Sequence, residues 1–170
     1  MVTSFKPNVA RITAPIYSLV EGVFLGAISH VYNARWNGIV LQAVLGTSAV
    51  FGVMLALHAF RILKVTDRMR RMVIGATMGV AAIYLVGMVL RLFGSRIGFL
   101  SDATPMGIGF SVLVVGLAAF NLSLDFDLME RFERAAAPKK LEWYAAFGLM
   151  VTLVWLYLEI LRLLSKLNRR

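Results

Sequence analysis

Apolar residues fill five stretches of the chain almost without interruption, at 14–32, 38–60, 72–93, 105–128 and 141–164, and the charged residues gather between them. Each stretch can cross about 30 Å of hydrocarbon at roughly 1.5 Å of rise per residue. A barrel strand would instead alternate apolar and polar positions over about ten residues, so the pattern predicts helices. The separators are turn and cap chemistry. Residues 33–37 read as a short turn, 66–71 as a charged loop, 101–105 as the opening of a new helix, and Pro138 with Lys139 and Lys140 precedes the last span. The expected architecture is all-α: a polytopic helix bundle forming one integral membrane domain over residues 1–170, with no soluble module and no internal repeat.

Composition supports the bilayer as solvent. With 59% hydrophobic and 16% charged residues among 170, there is too little polar surface to cover a water-soluble globule. The absence of cysteine removes disulfides and thiolate metal sites. A net charge of +9 would suit nucleic acid, but the basic residues lie between the apolar runs, the pattern of loops facing anionic headgroups. The lipid bilayer is therefore the expected partner, and nucleic acid is not. The opening "MVTSFKPNVARITAPIY" lacks a basic segment running directly into an apolar one, so it does not read as a signal peptide.

Orientation follows from the Lys and Arg residues on alternate sides of the spans. Lys6, Arg11, Arg61, Lys64, Arg68, Arg70, Arg71, Arg131, Arg134, Lys139 and Lys140 share one side; Arg35, Arg91, Arg96, Arg162, Lys166, Arg169 and Arg170 share the other. Eleven against seven predicts a cytoplasmic N-terminus. Two glycine pairs, Gly22 with Gly26 and Gly75 with Gly79, place small residues on one helical face, and Gly22 with Gly26 is expected to pack against another helix of the bundle.

Polar residues at membrane depth are the candidates for chemistry, because an ionised side chain in hydrocarbon is costly unless paired or hydrated. "LVWLYLEILRLL" carries Glu159 inside an otherwise apolar span. Arg162 follows it by three positions on the same helical face, and Arg91 at the end of another span is a second potential partner. Glu159 is thus either a structural charge latched to arginine or a carboxylate lining a hydrated cavity. In "SLDFDLMERFE", Asp125 and Asp127 are two positions apart, so on a helix they point in different directions. Asp125 lies deeper and lacks a cation on its own span, which makes it the candidate for proton uptake; Asp127 suits a solvated helix end. Glu21 is a further acidic candidate in the first span. His30 and His58 stand on separate spans without the spacing of a zinc site. "MGIGFS" lacks the rest of a dinucleotide fingerprint, and no nucleophile elbow, phosphate loop or HExxH helix occurs, so neither an enzyme nor a cofactor is expected.

Three long segments, "FKPNVARITAPIYSLVEGVFLGAIS", "SLDFDLMERFE" and "EWYAAFGLMVTLVWLYLEILRLL", together resemble the Bax inhibitor-1-like family of small membrane proteins, in particular its bacterial branch. The resemblance implies a seven-helix fold with the last helix surrounded by the others. It implies a calcium-permeable leak regulated by pH through acidic residues of the last two spans, in the bacterial inner membrane. Asp125 stands where the family's sixth helix carries its acidic residue, and Glu159 where the last helix carries an aspartate. This chain departs from the pattern in having five spans, with "FKPNV" resembling the loop before the family's third helix, and in having Glu at 159. On the span boundaries above, Asp125 and Glu159 also fall at opposite depths, about 20 Å apart along the helices.

Two functions are expected from these residues. One is a cation pathway sensitive to pH, with Asp125, Glu159, Asp127 and Glu21 as its acidic residues, Arg91 and Arg162 as charge partners, and calcium as the ion. The other is a non-conducting subunit that modulates a membrane-protein partner.

Overall fold

The computed structural model describes residues 10–94, 98 and 102–169. The segment at residues 5–9 and Ser101, both used in the sequence reading, lie outside the described residues. Among the described residues five helices follow one another: α1 (Ala10–Arg35), α2 (Ile39–Ala59), α3 (Asp67–Leu92), α4 (Pro105–Arg134) and α5 (Lys140–Leu167). All five are long and apolar enough to cross a membrane.

The helices outrun some of the apolar stretches because backbone hydrogen bonding continues after the side chains turn polar. The segment at 66–71, expected as a loop, is mostly the first turn and a half of α3. Thr66 caps that helix by accepting a hydrogen bond from the Met69 amide at 3.2 Å, and Asp67 in the first turn complements the helix dipole. Thr104 caps α4 in the same way, accepting from the Gly107 amide at 3.1 Å, with Pro105 at the first helical position. α2 ends in a tight reversal. Arg61 takes a left-handed conformation (φ 55°), and the next amide, of Ile62, returns to the Leu57 carbonyl at 3.0 Å.

α4 and α5 form an antiparallel pair at the centre of the bundle. α5 also touches α1 and α2, while α4 also touches α2 and α3. Ile39 and Ala43 of α2, Leu122 and Phe126 of α4, and Leu156 and Leu161 of α5 close the main core. A smaller cluster joins Val73 and Val80 of α3 to Val114 and Leu117 of α4. Polar contacts fix the register of the central pair. At one end the buried Lys166 ammonium of α5 donates to the Gly107 carbonyl and the Ser111 hydroxyl of α4, both at 2.9 Å. At the other end Asp125 of α4 faces Gly148 and Thr152 of α5.

Helices α1 and α3 flank this centre and turn large apolar side chains outward, among them Leu19, Val23, Met78 and Leu85. In a bilayer these faces meet acyl chains, so their exposure carries no hydrophobic cost. The glycine expectation is corrected here. A Cβ at Gly22, Gly26, Gly75 or Gly79 would meet nothing within 4 Å, so these faces look away from the bundle. The close approach is at Gly46, where a Cβ would lie 3.3 Å from Cγ2 of Ile160. Spacing alone shows that two glycines share a face, and only the packed helices show which way that face points.

Candidate functional site

Glu159 is 1% exposed and its carboxylate is surrounded by donors. The Arg162 guanidinium donates to Oε1 at 3.0 Å and Oε2 at 3.2 Å. Tyr84 Oη donates to Oε2 at 2.9 Å, and Trp155 Nε1 reaches Oε1 at 3.3 Å. The helix repeat explains the local part: Trp155 precedes Glu159 by one turn and Arg162 follows it by three residues, so all three side chains share one face of α5. Tyr84 comes from α3 and also receives the Arg162 guanidinium on its ring, 4.6 Å from the centroid. The cluster pairs the carboxylate's charge and satisfies its oxygens, the condition for burying a carboxylate, while the Arg162 side chain stays 37% exposed.

Arg91, weighed above as a second partner, is not part of it. It is exposed at the end of α3, seven residues beyond Tyr84, or about 10 Å further along that helix. The Tyr84 hydroxyl of α3 reaches the carboxylate, and Arg91 makes no ion pair with it among the described residues.

Asp125 sits in a different environment. Its carboxylate is turned into the α4–α5 interface, with Oδ1 where a Cβ on Gly148 would come within 3.7 Å, and with Thr152 in hydrogen-bonding reach. Its Oδ2 is buried and has no hydrogen-bond partner among the described residues. No ion pair engages Asp125 among them either. The small residue at 148 makes room for the carboxylate against the α5 backbone. Glu159 lies seven residues beyond Thr152, about 10 Å further along α5, so the two acidic groups occupy separate levels.

The opposed directions expected for Asp125 and Asp127 are present. Asp127 turns toward α3, where Arg70 pairs with it, and Arg131 one turn on donates to the same oxygen at 2.8 Å. Glu130, one turn after Asp127, faces α2 and lies 3.5 Å from Nε2 of His58, with Arg134 on its other side. Glu21 lies on α1 within reach of the Tyr17 hydroxyl, whose ring packs edge-on against Phe147 of α5 at 5.1 Å. The Ser29 and Tyr157 hydroxyls, 2.6 Å apart, extend the same parallel register of α1 on α5. That register sets Glu21 about level with Asp125 on another side of α5. Among the described residues no group of three or more potential metal ligands is gathered.

A family model described as Bax inhibitor 1 like matches residues 1–169. The chain belongs to the Bax inhibitor 1 like family. No curated protein matches it, and no solved structure does. In this Bax inhibitor 1 like chain the two acidic positions singled out by resemblance, Asp125 and Glu159, are both turned into the bundle, one without a cation among the described residues and one contacted by an arginine, a tyrosine and a tryptophan.

The sequence reading missed Tyr84, Trp155, Lys166 and the pair formed by Asn121 and Thr77, whose side chains are 2.9 Å apart across α3 and α4. Trp155 was accessible from its spacing to Glu159. Tyr84 was not, because nothing along the chain tells which residue of α3 faces α5. Lys166 enters the sequence reading only in the count of basic residues; its position one turn after Arg162 is the signal that it still belongs to a helix face.

Proposed function

We propose that this membrane protein of the Bax inhibitor 1 like family is a pH-sensitive cation leak that passes calcium ions across the bacterial inner membrane, with its N-terminus in the cytoplasm. One observation carries the reading: Asp125 presents, between the two central helices, a buried carboxylate oxygen that has no hydrogen-bond donor and no cation among the described residues. Such a group is the one whose charge can change without breaking an ion pair. Deprotonated, it attracts a cation to the α4–α5 seam; protonated, it can donate to a neighbouring oxygen and hold the seam shut. Glu21, at about the same level, adds a second carboxylate to that depth. Glu159 and Asp127 act as fixed charges because cations already engage them.

Calcium flux into liposomes by the purified chain, followed with an enclosed dye as external pH is varied, tests this. Flux above that of empty liposomes, changing with pH, is the expected result.

A second reading has its own support. The outward glycine face of α1 and the paired state of Glu159, Asp127 and Glu130 suit a non-conducting subunit that docks on another membrane protein. No flux above empty liposomes would favour it.

A further inference from the structure

At the end of the bundle where α2 and α4 finish, a cleft of about 260 Å³ opens between the α2–α3 connection and α4. Its walls carry Asp127 and Glu130, yet neither carboxylate is free. Asp127 is held by Arg70 and Arg131, and Glu130 by Arg134 with His58 at 3.5 Å. Arg61 and Lys64 line the rim of the same cleft, are exposed, and pair with no carboxylate among the described residues. Taken with the ion pairs that reach into it, the cleft gathers five permanent cations against two carboxylates. The surplus positive charge sits on the rim.

Two features of the rim narrow what it can hold. Arg61 occupies the left-handed turn that ends α2, a conformation for which glycine is favoured. That turn carries Arg61 to the wall of the cleft, which its side chain lines. Its neighbours in the chain, Phe60 and Ile62, are 76% and 69% exposed, so apolar surface flanks the cation on both sides. A free anion has no use for that apolar surface. An amphiphile with an anionic head does.

We propose that this cleft binds the phosphate of an anionic phospholipid headgroup, with Arg61 and Lys64 as its donors and the acyl chains lying along Phe60 and Ile62. The guanidinium offers a two-pronged donor for the phosphate oxygens, and the lysine adds a mobile point charge. The ion-paired carboxylates beneath hold the cleft floor in place and keep the phosphate at the rim. The site lies where α2 and α4 end, and its donors, Arg61 and Lys64, take no part in the proposed leak.

Thermal unfolding of the full chain in detergent, with added dioleoyl phosphatidylglycerol, dioleoyl phosphatidylcholine or inorganic phosphate, tests it, since a ligand that binds the folded state raises the melting temperature. Phosphatidylglycerol should stabilise the chain in a saturable way, and the other two additions should not. The double variant Arg61→Gln with Lys64→Gln should melt normally without lipid and bind phosphatidylglycerol roughly tenfold to thirtyfold more weakly. The charge-matched variant Lys139→Gln with Lys140→Gln, at the same end of the bundle but away from the cleft, should bind as the parent does. If the rim variant does not fold, Lys64→Gln alone, in a loop, should weaken binding about fivefold. Undiminished binding by the rim variants, or an equal loss in the Lys139 and Lys140 variant, would overturn the site. Equal stabilisation by phosphatidylcholine would overturn the role of headgroup charge, and stabilisation by inorganic phosphate alone would overturn the lipid.

Discussion

Tyr84 of α3 donates to Glu159 of α5 at 2.9 Å, joining two helices that otherwise barely approach each other. One tyrosine thus ties a flanking helix to the central one at the level of a buried ion pair. Because Arg162 lies against both the carboxylate and the tyrosine ring, the three groups behave as one unit.

Removing members of this unit should cost stability in graded steps. Tyr84→Phe deletes one hydrogen bond to a charged acceptor and should destabilise by about 1–2 kcal/mol. Glu159→Gln leaves Arg162 without its counter-charge and should cost more, about 2–3 kcal/mol. Thermal unfolding in detergent measures both. A Tyr84→Phe loss as large as that of Glu159→Gln would mean that the hydroxyl, and not the ion pair, holds the cluster.

Asp125→Asn should flatten the pH dependence of calcium flux in liposomes. The amide copies the protonated acid in shape and lacks its charge, so the variant should behave at every pH as the parent does at acid pH. Glu159→Gln should change flux amplitude and leave the pH dependence in place, since Arg162, Tyr84 and Trp155 already engage the carboxylate. A pH profile unchanged by Asp125→Asn would reject Asp125 as the sensor.

Orientation can be read by labelling, because the chain has no cysteine of its own. A single cysteine at Thr66, in the connection rich in Arg and Lys, should be shielded from an impermeant reagent in intact cells. One at Asp102, in the opposite connection, should react. The reverse pattern would place the N-terminus outside.

The glycines divide into two predicted classes. Gly46→Leu should destabilise by about 1–3 kcal/mol, because even a Cβ there lies 3.3 Å from Ile160. Gly22→Leu should leave the unfolding of the isolated chain unchanged or slightly raised, since it meets nothing and leucine is the better helix former. A large loss at Gly22 would show that its face is covered by another chain.

The sequence by itself determined the solvent and the five apolar spans found among the described residues. These are properties of contiguous residues: the length of an apolar run against hydrocarbon thickness, and a spacing of three between Glu159 and Arg162. It also separated Asp125 from Asp127, because the helix repeat sends residues two apart to different faces. What only the tertiary structure decided is which face meets which neighbour. An all-round apolar helix has no inward side written along it, so Gly22 and Gly46 look alike in sequence while one faces outward and the other packs against Ile160. For the same reason Tyr84 could not be matched to Glu159, nor Arg70 to Asp127 and His58 to Glu130. The unpartnered oxygen of Asp125 became visible only once every helix around it was in place.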